Sequence, residues 1–435
     1  MSEPPDHPER FILADEVHAR PPEPLDTPSR LSYVAVLVEP DARAGEFLRL
    51  VHLCERMGVP PPAAGLTHFV TPIGAARLKW ERHGEFSSYT TIAAGAPADP
   101  FADTAASLLP QHWLRDIPGT TIMAAHAVVL PGGAAPPAEA ELAPWFAPGA
   151  SIVGAGLADG AGHAFTDFRI HADGWSRFVL LNRGFTVRQA GRIAQRLFEI
   201  EAYRMLALLA LPIARRQSPR INAIEKSLAV LTDSLAREAG RASDGDEALL
   251  QELTRLAAEI ESGLAASQFR FGACRAYAEL VRTRIADLRE ERIPGIQTIG
   301  EFMARRFEPA VTTCLTVAQR LRDLSDRVAQ ASALLSTRVD IVRERQNQAL
   351  LASMDRRARL QLRLQQTVEG LSVAAITYYA VGLIGYLATG GKAAGLRVDP
   401  DLVTGVAVPL VAGAALFALR RARRRIAKAE GAAGH

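Results

Sequence analysis

Two uninterrupted apolar runs near the C-terminus constrain this chain more than any other feature. Residues 371–388 (LSVAAITYYAVGLIGYLA) and 402–419 (LVTGVAVPLVAGAALFAL) are 18 residues each and carry no charge. At about 1.5 Å per residue a helix of that length reaches about 27 Å, close to the roughly 30 Å of a bilayer hydrocarbon core. The segment between them, 389–401, holds Lys392, Arg397, Asp399 and Asp401 and balances to zero. Arg420, Arg421, Arg423, Arg424, Arg425 and Lys428 follow the second run, and Arg356, Arg357, Arg359 and Arg363 precede the first. Basic residues at both outer ends predict two spans with both termini in the cytoplasm and the short linker outside. The competing reading, a buried helical hairpin in a soluble core, leaves the flanking arginines and the matched lengths to accident. The N-terminus (MSEPPDHPER) lacks a basic region followed by an apolar stretch, so no secretory signal is expected and residues before 369 are expected to stay in the cytosol.

Composition fits this division. With 435 residues, 48% hydrophobic and 22% charged, the chain can bury a core and is not a disordered polymer. A net charge of +3 argues against a dedicated nucleic-acid binder, which needs a clustered basic face. Cys54, Cys274 and Cys314 make no C-x-x-C pair and no disulfide scaffold, as in a reducing compartment. Of 50 basic residues only Lys79, Lys226, Lys392 and Lys428 are lysine, which reads as genome bias towards arginine without functional content. The mean hydropathy of +0.05 is high for so charged a chain, and the two apolar runs account for it.

The expected fold class is α+β: an N-terminal α/β cytosolic domain, then long antiparallel helices and a stalk helix, ending in a two-span transmembrane hairpin. In residues 1–185, strands are predicted at 31–38, 66–71, 75–82, 86–93, 120–130, 151–157, 163–172 and 175–181, with helices around 11–18 and 42–57. Asp173-Gly174 is the strongest hairpin signal. Helices dominate 186–293, where Thr186 and Gln189 match a capping box, Pro212 ends the first helix, a second covers 219–238 and a third reaches Arg292. A second capping box at Thr298 and Glu301 opens a stalk, 294–368, that runs unbroken towards the spans within 369–420 and the basic tail 421–435. Leu321, Leu324, Val328, Ala331, Leu335 and Val342 keep a coiled-coil-like spacing, interrupted by Arg338 and Arg345. Such a helix needs neighbours, within the subunit or in a homo-oligomer.

Chemical motifs are sparse. There is no G-x-x-x-x-G-K-[ST], H-E-x-x-H or G-x-S-x-G and no paired cysteine ligand set. Gly154, Gly156, Gly160 and Gly162 miss the G-x-G-x-x-G spacing and read as a strand connection. Asp15, Glu16, His18 and Arg20 form the densest polar cluster. They suit metal binding or acid–base chemistry, or simply a helix end whose charges pair with its neighbours. Asp167, Arg169 and His171 alternate along a predicted strand and share one face, either solvated or contacting a ligand or subunit. Glu369 lies at the cytoplasmic edge of the first run, at headgroup level or at a cation entrance. Tyr378 and Tyr379 lie near mid-bilayer, where a phenol seeks a partner helix or lines a pore.

The segments ADEVHARP (14–21), TDFRIHADGWSRFVLLNRGF (166–185), RLFEIEAYRMLALLALPIAR (196–215), IQTIGEFMARRFEPA (296–310) and RLQLRLQQTVEGLSVAAITYYAVGLIGYL (359–387) resemble a bacterial family of uncharacterised, membrane-anchored proteins, domain of unknown function 3422. The resemblance covers nearly the whole chain. It implies inner-membrane anchoring and brings no activity, cofactor or catalytic residue with it. In layout alone the chain is also similar to CorA-type magnesium transporters, but the Gly-Met-Asn at the end of their first span is replaced here by Gly385-Tyr386-Leu387-Ala388. The expectation is a non-enzymatic regulatory, scaffold or sensing module on a lipid bilayer, with no cofactor. The alternative is a CorA-like oligomeric divalent-cation channel or transporter.

Overall fold

Eight runs, most of them rich in β-branched and aromatic residues, pair into one mixed sheet in the computed structural model. It describes residues 6–11, 13–14, 21–237, 246–393 and 399–432. The strands are β1 (Ser29–Leu37), β2 (His68–Ile73), β3 (Ala76–Arg82), β4 (Phe86–Ala94), β5 (Thr120–Pro131), β6 (Val153–Leu157), β7 (Gly162–Thr166) and β8 (Ser176–Asn182). Their order is β2-β3-β4-β1-β5-β8-β7-β6, antiparallel except where β5 meets β8 in parallel. Helix α1 (Arg43–Met57) follows β1 and stops at Gly58, whose φ of 68° suits a residue without a side chain.

All eight expected strands are present, and one is cut short. β7 ends at Thr166, so Asp167, Arg169 and His171 do not share a strand face as the alternation predicted. Phe168 takes φ 51° and turns the chain out of the sheet. Asp173-Gly174 does sit in a tight turn, with Gly174 N–H donating to the His171 carbonyl at 2.9 Å. That turn closes a longer excursion between β7 and β8. Of the clustered glycines, Gly154 and Gly156 lie inside β6 and Gly162 opens β7, and only Gly160 (φ 76°) serves the connection between them.

Both faces of the sheet are covered, because β1 is apolar on both sides. Val34 and Val36 pack with Leu50 and Leu53 of α1 in one core. On the other face Tyr33 stacks on Phe198 of α2 (Val187–Leu208) at 4.9 Å. The α2 cap is the predicted one: Thr186 accepts from the Gln189 N–H, and the Gln189 side chain accepts from the Thr186 N–H.

Pro212 does not end the helical run. α2 breaks at Leu209, and α3 (Ala210–Arg237) carries Pro212 in its first turn, where a missing N–H costs nothing. α4 (Asp246–Leu288) ends before Arg292. Thr298 and Glu301 cap α5 (Ile299–Arg306) as predicted. The chain then breaks at Phe307, because Pro309 cannot donate back into the preceding turn. α6 (Glu308–Ala393) and α7 (Pro400–Ala432) follow.

In the first part of α6, Leu321, Leu324, Val328 and Leu335 are buried. Arg320 reaches Glu225 and Asn222 of α3, so this stretch packs within the chain. Cys54, Cys274 and Cys314 are free and buried.

The chain is therefore α+β: an N-terminal mixed-sheet domain, long helices, and two apolar helices towards the C-terminus. It divides into two compact units, Met1–Ala333 and Leu334–His435. In the second unit, 371–388 belong to α6 and 402–419 to α7, and a Cβ placed on Gly385 would lie 3.2 Å from Thr404 Oγ1. The linker at 394–398 and most of the helix predicted at 11–18 lie outside the described residues.

Candidate functional site

Strand register builds the main polar site. Lys79 pairs with Thr90, Glu81 with Ser88 and Tyr33 with Thr90, so these side chains share the face under α2. Lys79 Nζ lies 2.9 Å from Glu81 Oε1, with side-chain exposures of 5% and 7%. It also donates to the Pro21 carbonyl at 3.1 Å and to Gln195 Oε1 of α2 at 3.3 Å. An ammonium has three donors, and here three acceptors surround it.

The Pro21 carbonyl is there because the segment 21–25 crosses α2 at Gly191. A Cβ on Gly191 would come within 1.9 Å of the Glu23 carbonyl oxygen, so only glycine admits the crossing. Arg77 fixes the same segment, donating to Glu23 at 2.9 Å and to the Pro24 carbonyl at 2.7 Å.

A partly open cavity of about 30 Å³ lies at this place. A water needs at least about 10–15 Å³ of such space, so the cavity has room for a water-sized species beside the ammonium. Burial, reinforced by Tyr203 and Glu81, pushes the Tyr33 phenol well above its usual range and keeps it neutral.

From Lys79 a polar chain leads outward. Gln195 Nε2 donates to Glu199 at 2.7 Å, and Arg284 Nε donates to the other Glu199 oxygen. Arg284 and Arg196 both face Asp287, at 3.5 and 3.3 Å. Gln195 and Glu199 thus separate the cavity from a groove of about 170 Å³ that is also lined by Arg192 and Arg196.

The opposite face of the same strands holds a second buried charge. Glu46 of α1 accepts from Trp80 Nε1 at 3.1 Å and from the Tyr89 hydroxyl at 2.7 Å, with Arg82 at 3.5 Å. Burial and the Glu46 charge raise the Tyr89 phenol far above its usual value.

On β5, His126 stacks on Trp175 at 4.0 Å, and its Nδ1 lies 2.9 Å from Ser32 Oγ. Ser32 Oγ also accepts from the Ala106 N–H at 2.9 Å, so the serine ties the imidazole to the short helical turn at Ala106. Burial lowers this histidine to a pKa of about 4.

Of the residues singled out from sequence, Asp15, Glu16, His18 and Arg20 lie outside the described residues. Asp167 and His171 meet: His171 Nε2 is 3.1 Å from an Asp167 carboxylate whose exposure is 0%. Asp167 also accepts from the Ala147 and Arg169 N–H groups at 3.1 Å each, which pins the loop after β7. The Arg169 side chain is exposed and takes no part in that cluster. In the second unit Glu369 accepts from Gln365 at 3.3 Å. Tyr378 and Tyr379 are three-quarters exposed, with ring centroids 5.6 Å apart, on a groove between the two apolar helices. Among the described residues no group of three or more His, Cys, Asp and Glu side chains is placed to hold a metal ion.

A family profile described as "Protein of unknown function (DUF3422)" matches residues 5–426. The chain belongs to the DUF3422 family. No curated protein matches this family member significantly. The polar core around Lys79 is therefore defined by its own geometry. Sequence reasoning passed over Lys79, Glu81 and Glu46, although one signal pointed to the first. In a chain that uses arginine almost everywhere, a lysine inside a strand marks a place where a compact ammonium fits and a planar guanidinium does not.

Proposed function

We propose that this chain is a membrane-anchored cytosolic module with a regulatory, scaffold or sensing role, held in the bacterial plasma membrane by two spans with both termini inside. One observation carries the reading. The apolar windows of α6 and α7 have mean hydropathies of 1.7 and 2.3, and only 0% and 6% of their residues are buried within the chain. A core helix of a soluble protein would be covered by its own chain. A helix that leaves Leu371, Leu387, Leu402 and Leu410 two-thirds exposed or more needs a non-aqueous surrounding. Arginines at both outer ends support the orientation.

The chemistry of the folded unit supports a non-enzymatic role. Lys79 has its donors engaged, Ser32 and His126 are buried against each other, and Asp167 is spent on two backbone N–H groups and His171. A reporter fused after Arg425 tests the topology: cytoplasmic activity is expected, and activity confined to the far side of the membrane would refute the inside C-terminus.

A second reading, a divalent-cation channel, is favoured by the groove between the spans. Its lining includes Thr377, Tyr378, Tyr379, Tyr386, Thr404 and Asp401. Reconstituted protein that carries divalent-cation flux, lost in Glu369→Gln or Tyr378→Phe, would establish it.

A further inference from the structure

We propose that copies of this chain pack side by side, in parallel and in register, through the part of α6 between Val339 and Val368. The parallel direction rests on the membrane reading above, since spans entering one bilayer from the same side point the same way. Residues 340–368 are helical and exposed along almost their whole length. A lone helix of that size is marginal in water and draws its stability from packing an apolar face.

Such a face exists. At about 100° per residue, Val342, Leu350, Met354, Leu360, Leu364 and Val368 fall on one stripe. The last five are 57–68% exposed. Arg343, Gln346, Ser353, Arg357 and Gln361 are the polar positions in the stripe, and polar residues in such a seam fix register at some cost in stability.

Charge selects the occupant. On one flank of the stripe Arg338, Arg345, Arg356 and Arg363 line up within about 20° of one another. On the other flank stand Asp340, Glu344 and Glu369, with Leu351 among them, while Asp355 lies towards the back and pairs with Arg359 of its own helix at 2.6 Å. In two parallel, in-register helices, Asp340 of one lies two residues from the level of the other's Arg338. Glu344 lies one residue from the level of the other's Arg345. These offsets are about 1.5–3 Å along the axis, so the basic flank of one copy meets the acidic flank of the next. An antiparallel arrangement loses that match.

Disulfide cross-linking of the full-length chain in native membranes tests this. The oxidant is copper phenanthroline, which takes two electrons as two thiols lose their protons and join. Leu350→Cys and Leu364→Cys are each expected to form dimers of the chain, while Gln348→Cys, on the back of the helix, gives the wild-type background. Arg345→Glu in the Leu350→Cys chain should lower the yield about fivefold by placing like charges together, and adding Glu344→Arg should restore it. Equal yields at all three positions, cross-linking at 350 without 364, a cross-link to a different protein, or indifference to Arg345→Glu would each overturn the proposal. Membrane-bound chain without the cross-links would sink the interface alone. Soluble chain with both cross-links would sink the membrane reading and leave the interface standing.

Discussion

Lys79 and Glu81 meet at 2.9 Å with both side chains almost removed from water. Two residues apart on one strand, they point to the same face and pair beneath α2, where Pro21 and Gln195 complete the ammonium's shell. Desolvating two charges costs several kcal/mol, and only close pairing and satisfied donors offset it.

Removing one partner leaves the other buried and uncompensated. Lys79→Met is expected to destabilise the first unit by about 3–5 kcal/mol, and the double change with Glu81→Gln to recover much of that. Lys79→Arg should also be costly, by about 1–3 kcal/mol, because the larger head overfills the site. Urea midpoints of the purified full chain, followed by tryptophan fluorescence, would read all three.

Gly191→Ala drives a methyl into the Glu23 carbonyl, so the segment 21–25 has to move. The expected cost is about 1–3 kcal/mol. The first chain site to become sensitive to limited proteolysis should be near residues 21–25. A variant as resistant as wild type would show that the crossing is not held at Gly191.

His126 predicts a pH dependence. Burial is the main cause of its low pKa, Arg177 adds to it, and Asp173 opposes it. The folded value is about 4, against about 6.5 for a free imidazole. Between those values the unfolded chain binds the proton and the folded chain does not. This contribution is complete above about pH 6.5 and is lost as pH falls towards 4, by up to about 1.4 kcal/mol per unit. His126→Phe keeps the stack on Trp175 and removes the titration. Its stability profile should be flatter by about one proton over that window, and an unchanged slope would place the titrating group elsewhere.

Asp167→Ala strips three partners from one buried carboxylate and leaves two backbone N–H groups unsatisfied. The expected loss is about 1–3 kcal/mol for each N–H left unmade, with Asp167→Asn milder because the amide oxygen still accepts. Thermal unfolding of the two variants side by side would separate this loop-pinning role from a ligand role. In the latter case both would unfold like wild type.

The sheet was legible because its strands are short, β-rich and bounded by Gly, Pro and Asp. Both capping boxes announced their helices for the same local reason. Pro212 misled, since a proline in a first helical turn looks in sequence like one that ends a helix. The strand at 163–172 misled too, because alternation continues past Thr166 while the Asp167 carboxylate, holding the Ala147 and Arg169 N–H groups, bends the backbone away. The buried pair of Lys79 and Glu81 was hidden by its own spacing. Two charges at i and i+2 look like the solvated side of a strand until α2 is known to lie over it. The seam of α6 was seen at Leu321 to Leu335, where the chain itself covers it, and its continuation was obscured by Arg338 and Arg345, which belong to a flank.

The anchor itself is tested most directly by alkaline carbonate extraction of membranes from cells expressing the full-length chain. The chain is expected to stay in the pellet through both a high-salt wash and carbonate, as two apolar helices embedded in lipid require. Release by carbonate would mean that α6 and α7 do not cross the bilayer, and the account of this protein as a membrane-anchored module would fall.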